Sequence, residues 1–249
     1  MDGRSTTRIL ERTMTLAAEP AASLGAVIVT GGASGLGKAV AEAVAQAGGT
    51  PIVLDRRPAE HDRFEHLEVD LAAPRFSEDA VRAVAERHGD LRGVVTAAGI
   101  DACGPLGEVD PEAWDRVVRV NLIGTAAVVR AALPALQRNR GRVVTVASTL
   151  GYRALPDATA YCASKFGVVG FTRALQVELA GRVGVTLLVP GGMDTPFFDG
   201  RPEQYRPGPD AQLADPADVA RTVVFALAQP PGFELRELVT TVSTEPSWP

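Results

Sequence analysis

Short apolar segments alternate with helix-patterned segments along most of this chain, and that alternation limits the possible folds more than any other feature. The apolar segments are rich in β-branched residues and predict buried strands, at residues 26–30, 51–55, 67–70, 93–99, 141–147, 183–189 and 234–242. The segments between them carry apolar residues at helical spacing and predict helices, at residues 38–47, 77–88, 111–137, 161–180 and 216–228. Strands that are apolar on both faces and alternate with helices predict an α/β fold, in which a parallel sheet of about seven strands has helices on both faces.

The chain of 249 residues, 46% of them apolar, suits a single domain over residues 25–249. Residues 1–24 are polar and weakly patterned, so we expect a flexible N-terminal extension, with a fraying helix over residues 7–18 as the alternative. Ser77 and Asp110 are the predicted N-caps of their helices, and Pro134 is expected to kink or end the helix that contains it.

Charge and cysteine content exclude several classes of partner. The net charge of -5 and the pI of about 5.3 argue against nucleic acid and against an anionic membrane surface. No apolar run reaches the ~18 residues that a membrane helix needs, and the N-terminus lacks the apolar core of a signal peptide. The two cysteines, Cys103 and Cys162, form no disulfide framework. We therefore expect a cytoplasmic protein that binds a small molecule.

Each group of small or polar residues that stands out in the sequence falls at the carboxyl end of a predicted strand. In parallel sheets ligands bind beyond that edge, so these residues predict a single binding crevice. They are Gly31–Gly37, Asp55, Asp70, Ala97–Gly99, Ser148 and Pro190–Thr195.

The glycine-rich turn after the first strand fits a phosphate-binding role, because glycines allow the backbone to approach a pyrophosphate at a helix N-terminus. Its spacing, Gly31, Gly35 and Gly37, does not match the Gly-x-Gly-x-x-Gly fingerprint, so alone it is weak evidence. Asp55 ends the second strand, 18 residues after Gly37, where a carboxylate accepts hydrogen bonds from a ribose. A turn residue is the alternative interpretation of Asp55.

Ser148, Tyr161 and Lys165 form a candidate proton-transfer site. Tyr161 and Lys165 are four residues apart and share one helix face, and Ser148 lies where a strand ends. We expect the ammonium to favour the phenolate and so to lower the tyrosine pKa toward a useful acid–base range. Two unrelated surface residues are the alternative for this spacing taken alone.

The chain resembles the short-chain dehydrogenase/reductase family in several motifs that occur in the family's order. They are Thr30-Gly-Gly-Ala-Ser-Gly-Leu-Gly37, Thr96-Ala-Ala-Gly99, Asn121, Ser148, Tyr161-x-x-x-Lys165 and Pro190-Gly-Gly-Met-Asp-Thr195. Asn, Ser, Tyr and Lys are successively 27, 13 and 4 residues apart, as is usual there. The resemblance implies a Rossmann-type doubly wound sheet and hydride transfer between a nicotinamide cofactor and an alcohol/carbonyl pair.

By the same resemblance, Tyr161 is the general acid/base and Ser148 hydrogen-bonds the reacting oxygen. Lys165 holds the nicotinamide ribose and lowers the Tyr161 pKa, and Asn121 anchors a water that relays the proton. No metal site is expected. The implied cofactor-binding residues are Gly31, Ser34, Gly35, Leu36, Gly37, Asp55, Arg56, Asp70, Leu71, Ala97, Ala98, Gly99, Tyr161, Lys165, Pro190, Gly191, Met193 and Thr195.

The cofactor expected is NAD, with NADP less favoured, because the Asp55 carboxylate would repel a 2′-phosphate. Arg56-Arg57 is the complication, since an arginine directly after the strand can bind a phosphate. Residues 193–213, rich in proline and aromatics, predict a substrate lid, with a plain surface loop as the alternative. An apolar substrate pocket is expected from Tyr152, Leu155, Phe197, Phe198 and Tyr205.

Two departures from the family pattern affect rigidity and assembly. Thr96-Ala-Ala-Gly99 lacks the two amide side chains that usually tie neighbouring strands, and the C-terminus lacks the Asp-Gly-Gly ending of tetrameric members. A homodimer or homotetramer is expected, with the long helices at 111–137 and 158–180 as the pairing surface. A catalytically silent nucleotide-binding sensor or scaffold, and an epimerase or dehydratase on the same fold, remain the functional alternatives.

Overall fold

The computed structural model of the protein describes residues 24–58 and 63–248. The predicted N-terminal extension therefore lies outside the described residues, except for Leu24, which is buried. The strands are β1 Ala26–Thr30, β2 Thr50–Asp55, β3 Glu65–Glu68, β4 Leu91–Thr96, β5 Arg142–Val146, β6 Gly184–Pro190 and β7 Glu237–Thr240. The α-helices are α1 Gly35–Gln46, α2 Pro74–Arg87, α3 Pro111–Val118, α4 Thr125–Asn139, α5 Thr159–Glu178 and α6 Pro216–Leu227.

The seven strands form one sheet in the order β3-β2-β1-β4-β5-β6-β7, and every neighbouring pair is parallel. The predicted α/β fold with a parallel sheet is thus confirmed. The chain builds the sheet outward from β1 in one direction and then from β4 in the other. The strand order reverses between β1 and β4, and the crevice at their carboxyl ends is where such sheets bind ligands.

Alternate residues of each central strand enter opposite core layers, because successive side chains in a strand point to opposite faces. Ile28 packs with residues of α2 and α4 on one face, including Val81 and Val128. Val27 and Val29 pack with α1 and α6 on the other face. Helices therefore cover both faces of the sheet, as the apolar strands predicted.

The predicted N-cap role of Ser77 was wrong. Helix α2 begins at Pro74, and Ser77 lies inside its first turn, where its hydroxyl donates to the carbonyl of Ala73 (3.1 Å) instead of capping the helix. A proline is well suited to the first helical position, which explains the earlier start. Pro134 does not end its helix, because α4 continues to Asn139 and is held to the core by Leu136 and its buried alanines.

A π-helical turn, Arg119–Gly124, joins α3 to α4 and contains Asn121. Helix α3 is capped as predicted, since the Asp110 carboxylate accepts from Ala113 N (2.9 Å). Within the described residues, the run Pro111–Asn139 is long and apolar enough to cross a membrane. Its apolar window is 56% buried, and α4 packs against the sheet and α2, so we interpret the run as a core helix.

Candidate active site

The turn after β1 is built so closely that only glycine fits at two of its positions. Gly31 has a φ of +72°, and a Cβ there would lie 2.7 Å from Ala98 Cα. A Cβ on Gly37 would lie 2.2 Å from the carbonyl oxygen of Gly31. The backbone of the turn therefore closes against the loop after β4 and leaves the start of α1 facing the crevice.

The N-terminus of α1 fits an anionic group such as a dinucleotide pyrophosphate. Ser34 is the N-cap residue, but its side chain caps no amide among the described residues. The first turn carries no acidic side chain, and Gly35, Leu36 and Gly37 all line the cavity. Uncapped amides and the positive end of the helix dipole favour a bound anion there.

The Asp55 carboxylate is nearly buried, with 7% of its residue surface exposed. Its Oδ2 accepts from Ala33 N (3.0 Å) and its Oδ1 accepts from Arg57 N (2.9 Å). The Arg57 guanidinium lies 3.7 Å from Oδ1 and donates to the Ser34 hydroxyl. Sequence reasoning singled out Arg56, but it is Arg57 that bridges the glycine turn and the end of β2. Only the side-chain geometry distinguishes these neighbouring arginines.

Asp70 and Leu71 form the wall beyond β3. Asp70 accepts from Ala72 N (2.9 Å) and from the Arg116 guanidinium (2.8 Å). Burial raises the pKa of Asp70, but the hydrogen bonds and positive charge of Arg116 outweigh it and hold the pKa below its usual value. Leu71 is buried against Gly124, where a Cβ would lie 2.8 Å from the Leu71 side chain.

The loop Ala97–Gly99 is tied to β1 in spite of its missing amide side chains. The Thr30 hydroxyl accepts from Ala98 N (3.1 Å), so a threonine on the neighbouring strand supplies the tie. Thr96 Oγ1 is one of the buried side-chain atoms without a hydrogen-bond partner in the described structure. The hydrogen bond from Ala98 to Thr30 therefore replaces the tie that the missing amide side chains would have made, and Thr96 does not contribute to it.

Ser148, Tyr161 and Lys165 meet at the inner end of the cavity. Ser148 begins a short 3-10 turn, Thr149–Gly151, and its hydroxyl accepts from Leu150 N (3.1 Å). Lys165 Nζ donates to the Val146 carbonyl (2.9 Å) and lies 5.5 Å from the centre of the Tyr161 ring. The predicted shared helix face thus brings the phenol and the ammonium together beside the end of β5.

The expected lowering of the Tyr161 pKa is not found. Burial raises the pKa of Tyr161, because a phenolate would lose its hydration, and the hydrogen bond with Ser148 only partly opposes this. Burial also lowers the pKa of Lys165 to about 8, so its ammonium is still mostly protonated at neutral pH. Both groups are enclosed, and the sequence spacing gave no indication of that enclosure. Tyr161 is therefore a protonated phenol at neutral pH.

Asn121 lies behind the cavity instead of on its surface. Its Oδ1 accepts from Ile100 N (2.9 Å), and its Nδ2 donates to the Ile100 carbonyl (2.9 Å) and to the Ser164 hydroxyl (3.0 Å). The side chain thus clamps the loop after β4 to α5.

The segment after β6 lines one side of the cavity, next to Tyr161. Phe197 lies against Tyr161 with ring centres 5.5 Å apart, and the Arg201 guanidinium stacks over Phe197 (4.6 Å) and Phe198 (4.8 Å). Arg201 also forms an ion pair with Asp101 (3.0 Å), in which the side chains are only 15% and 7% exposed. Neither charged residue was predicted, because they are 100 positions apart in the sequence.

The ends of the same segment are held together by backbone hydrogen bonds. Asp194 N donates to the Ala214 carbonyl (3.0 Å), and Ala214 N donates to the Gly192 carbonyl (2.9 Å). Between these bonds the segment forms two short 3-10 turns, Pro196–Phe198 and Glu203–Tyr205.

All of the predicted cofactor-binding residues line one cavity of about 920 Å³, together with Ser148, Leu155, Phe197 and Phe198. Tyr152 and Tyr205, which were predicted for the pocket, do not line it. The Tyr152 hydroxyl donates to Glu237 (2.9 Å), and that of Tyr205 donates to Asp157 (3.1 Å). Both phenols point to polar partners outside the cavity, which a count of aromatic residues cannot foresee.

Comparison with known proteins places this site in a family. Residues 25–206 match the family model described as short chain dehydrogenase. A 3-oxoacyl-acyl-carrier-protein reductase of Aggregatibacter actinomycetemcomitans is 31% identical, over 86% of this chain and 96% of that protein. The 2-(S)-hydroxypropyl-CoM dehydrogenase 3 of Xanthobacter autotrophicus is 31% identical, over 83% of this chain and 91% of that protein.

Two solved structures are similar at 25% identity. The aldohexose dehydrogenase of Thermoplasma acidophilum has a TM-score of 0.78 and covers 87% of this chain and 92% of its own. The alcohol dehydrogenase of Thermococcus sibiricus, complexed with 5-hydroxy-NADP, has a TM-score of 0.76 and covers 86% and 95%. The chain therefore belongs to the short-chain dehydrogenase/reductase family and is an NAD(P)-dependent oxidoreductase.

Proposed function

We propose that this member of the family interconverts an alcohol and a carbonyl compound with NAD(H) as the preferred cofactor and Tyr161 as general acid/base. The observation that carries the proposal is the position of the Tyr161 phenol. It lies at the inner end of the cavity, hydrogen-bonded to Ser148 and beside Lys165, with the uncapped N-terminus of α1 lining the same cavity.

The chain's own residues fit a nicotinamide dinucleotide. The amides of Gly35–Gly37 would hold the pyrophosphate, and Asp55 would hold the adenosine ribose. Asp70 and Leu71 would flank the adenine, and the nicotinamide half would lie along Ala97–Gly99, Pro190–Thr195 and Lys165. When bound, the nicotinamide supplies or accepts the hydride of the reaction.

In the direction of reduction, Tyr161 donates its proton to the carbonyl oxygen of the substrate. Ser148 hydrogen-bonds the same oxygen and stabilises the charge that develops on it. The Lys165 ammonium then stabilises the phenolate, and Asn121 anchors the water through which Tyr161 regains its proton.

The preference for NAD(H) is supported by the rigid placement of Asp55. Two backbone amides hold the carboxylate at the end of β2, so it cannot turn away from a 2′-phosphate. Like charges ~4 Å apart repel by about 1 kcal/mol in water and about 4 kcal/mol at an effective dielectric of 20. That range corresponds to roughly 5- to 1000-fold discrimination. Arg57 offsets part of it, but its guanidinium already binds Asp55 and Ser34.

The substrate is expected to be uncharged and of small or medium size. Phe197, Phe198 and Leu155 supply an apolar surface next to Tyr161. Arg201 lies next to this surface, where its charge is neutralised by Asp101 and its guanidinium covers the two phenylalanine rings. A free carboxylate on the substrate would have to compete with Asp101 for that guanidinium.

The test is a panel of ketones, aldehydes and alcohols assayed with both cofactors by the absorbance of the reduced nicotinamide. We expect turnover with uncharged substrates, faster with NAD(H) than with NADP(H). Binding of NAD without turnover of any substrate would favour the silent sensor or scaffold instead.

We also expect a homodimer or homotetramer. Ile123 and Phe166 are exposed on the helices that were predicted to pair, at 44% and 46% of their surface. Sedimentation of the wild-type protein should give a dimer or tetramer mass, and aspartate at both positions should weaken the association if these helices form the interface.

A further inference from the structure

The last residues of the described chain fold back over the crevice instead of leaving the domain. We call residues 241–248, which follow β7, the C-terminal strap. Glu245, Pro246 and Ser247 line the cavity on the side of the loop after β6 and the turn after β5. The sequence analysis treated this end only as a departure from the family ending.

Glu245 binds the loop after β6 through its carboxylate. Its Oε2 accepts from Gly192 N (2.9 Å), and a Cβ on Gly191 would lie 2.4 Å from the same oxygen. Its Oε1 accepts from Ser247 N (3.1 Å) and from the Ser247 hydroxyl (2.6 Å). Burial raises the pKa of Glu245, but these hydrogen bonds outweigh it and hold the pKa below its usual value. A side chain at position 191 would therefore displace the Glu245 carboxylate, which lies 54 residues later in the sequence.

The strap also binds the turn that begins at Ser148. Ser247 Oγ and Thr149 Oγ1 share a hydrogen bond of 2.7 Å, and Thr149 is almost fully buried. Arg153 donates to the Pro246 carbonyl (2.6 Å). Trp248 packs edge-on against Tyr152, with ring centres 5.4 Å apart. The strap is therefore anchored at several points along the turn.

We propose that the C-terminal strap is a positioning element of this chain's own active site, with Glu245 fixing the loop Pro190–Gly192 and Ser247 fixing the Ser148 turn. The two segments carry different parts of the proposed machinery, the nicotinamide contacts and the hydroxyl that binds the reacting oxygen. A single carboxylate joins them through hydrogen bonds to a charged acceptor, which are stronger than neutral ones. Only the kinetic consequence rests on the proposed function.

The kinetic test compares Glu245→Ala with Glu245→Gln, with Ser243→Ala as a matched control on the exposed part of the strap. The glutamine oxygen can still accept from Gly192 N, but its NH2 group cannot accept from Ser247 N, so we expect Glu245→Gln to lose less activity than Glu245→Ala but to fall below wild type. Glu245→Ala should lower kcat about tenfold, equivalent to about 1.4 kcal/mol, and should raise the KM for NAD. The control should match wild type.

Thermal melts of the same proteins separate positioning from stability. A merely structural Glu245 would lower the melting temperature but leave kcat and KM of the folded protein unchanged. If folded Glu245→Ala keeps kcat and KM within about twofold of wild type, the proposal is overturned. A chain ended after Val242 provides a second variant and should lose at least as much activity as Glu245→Ala.

A second measurement needs no turnover. The chain has two tryptophans, so in a Trp114→Phe background the emission reports Trp248 alone. We expect Glu245→Ala to shift this emission to longer wavelength, to increase its quenching by acrylamide and to weaken NAD binding. Unchanged emission, quenching and NAD affinity would overturn the proposal. If wild type turns over no substrate, the proposed function fails, and emission and NAD affinity alone decide on the strap.

Discussion

The two halves of the cavity are built by different means. The half around β1, β2 and β4 is shaped by backbone, since Gly31 and Gly37 are required by close approach and Asp55 is held by two amides. The half around β5 and β6 is shaped by side chains from distant segments. Asp101 meets Arg201 there, and Glu245 meets Gly192. Backbone geometry leaves a local sequence signature, whereas a side-chain pair across the fold does not.

The largest expected effect separates the chemistry from cofactor binding. Tyr161→Phe removes the phenol that is proposed to donate the proton at the inner end of the cavity, and loss of a general acid/base costs about 10²- to 10⁴-fold in rate. We expect kcat to fall by at least ~100-fold while the Kd for NAD stays within about threefold. Single-turnover kinetics and NAD titration measure the two quantities.

Thr159→Ala, an exposed position two residues before Tyr161 at the start of α5, is a control for changes to the helix start and should keep most of the rate. Retention of more than a tenth of the wild-type kcat in Tyr161→Phe would contradict the role given to the phenol. A large loss of NAD affinity in Tyr161→Phe would show that this residue contributes to cofactor binding as well as to the chemistry.

The second prediction concerns the backbone-shaped half alone. Asp55→Ala removes the charge that would face a 2′-phosphate, so we expect the ratio of kcat/KM for NAD to that for NADP to fall by roughly 5- to 1000-fold. Arg57→Ala should move the ratio in the opposite direction, because the carboxylate loses its neighbouring cation. Both variants are assayed with one substrate. A wild-type preference for NADP, or a ratio unchanged in Asp55→Ala, would show that Asp55 is not the selector.

What the sequence predicts well follows the same division. The positions of Asp55, Gly31–Gly37 and Ser148 follow from where strands end, which apolar patterning locates to within a few residues. The choice between Arg56 and Arg57 depends on which neighbour points back to the turn. The enclosure that raises the pKa of Tyr161 depends on Phe197, 36 residues later, and no periodic pattern encodes it.

Lys165 lies where the two halves meet, and its burial makes a prediction about stability. The shift of its pKa from 10.5 to about 8 corresponds to a cost of about 3 kcal/mol for burying the ammonium below pH 8. Between pH 8 and 10.5 the folded protein binds fewer protons than the unfolded chain, so stability rises with pH. Above pH 10.5 the cost is absent.

Lys165→Met removes that cost. The free energy of unfolding of the variant minus that of wild type should therefore be about 2 kcal/mol higher at pH 7 than at pH 9.5. Urea denaturation measures the free energy of unfolding of both proteins at the two pH values. Subtracting the wild-type value at each pH cancels the contribution of groups that titrate in both proteins. Lys38→Met is the matched control, because Lys38 is the only other lysine and is exposed. A pH-independent difference for Lys165→Met would contradict the buried, charged ammonium.

The smallest effect is expected in the side-chain half, at the ion pair that joins the lid to the loop after β4. Arg201→Gln leaves the Asp101 carboxylate buried without its cation, and that charge opposes ionisation of Tyr161. We expect kcat/KM to fall about tenfold, equivalent to about 1.4 kcal/mol. We also expect faster proteolysis within residues 193–213, because Arg201 holds the lid through Asp101. Arg221→Gln, at an exposed position of α6, is the control and should change neither quantity.

The double variant Asp101→Asn with Arg201→Gln decides whether the charge or the contact matters. Removing one partner of a buried pair leaves an uncompensated charge, whereas removing both leaves a neutral pair that can still hydrogen-bond. Recovery of kcat/KM in the double variant, with the lid again protected from protease, would show that the uncompensated carboxylate causes the loss. Recovery of protease protection without recovery of kcat/KM would assign Arg201 to the substrate instead. Equal cleavage of wild type and Arg201→Gln, with and without NAD and substrate, would contradict the lid itself. The half of the cavity around β5 and β6 would then be as rigid as the glycine turn. The two halves would differ in how far apart in sequence their contacting residues lie, and not in mobility.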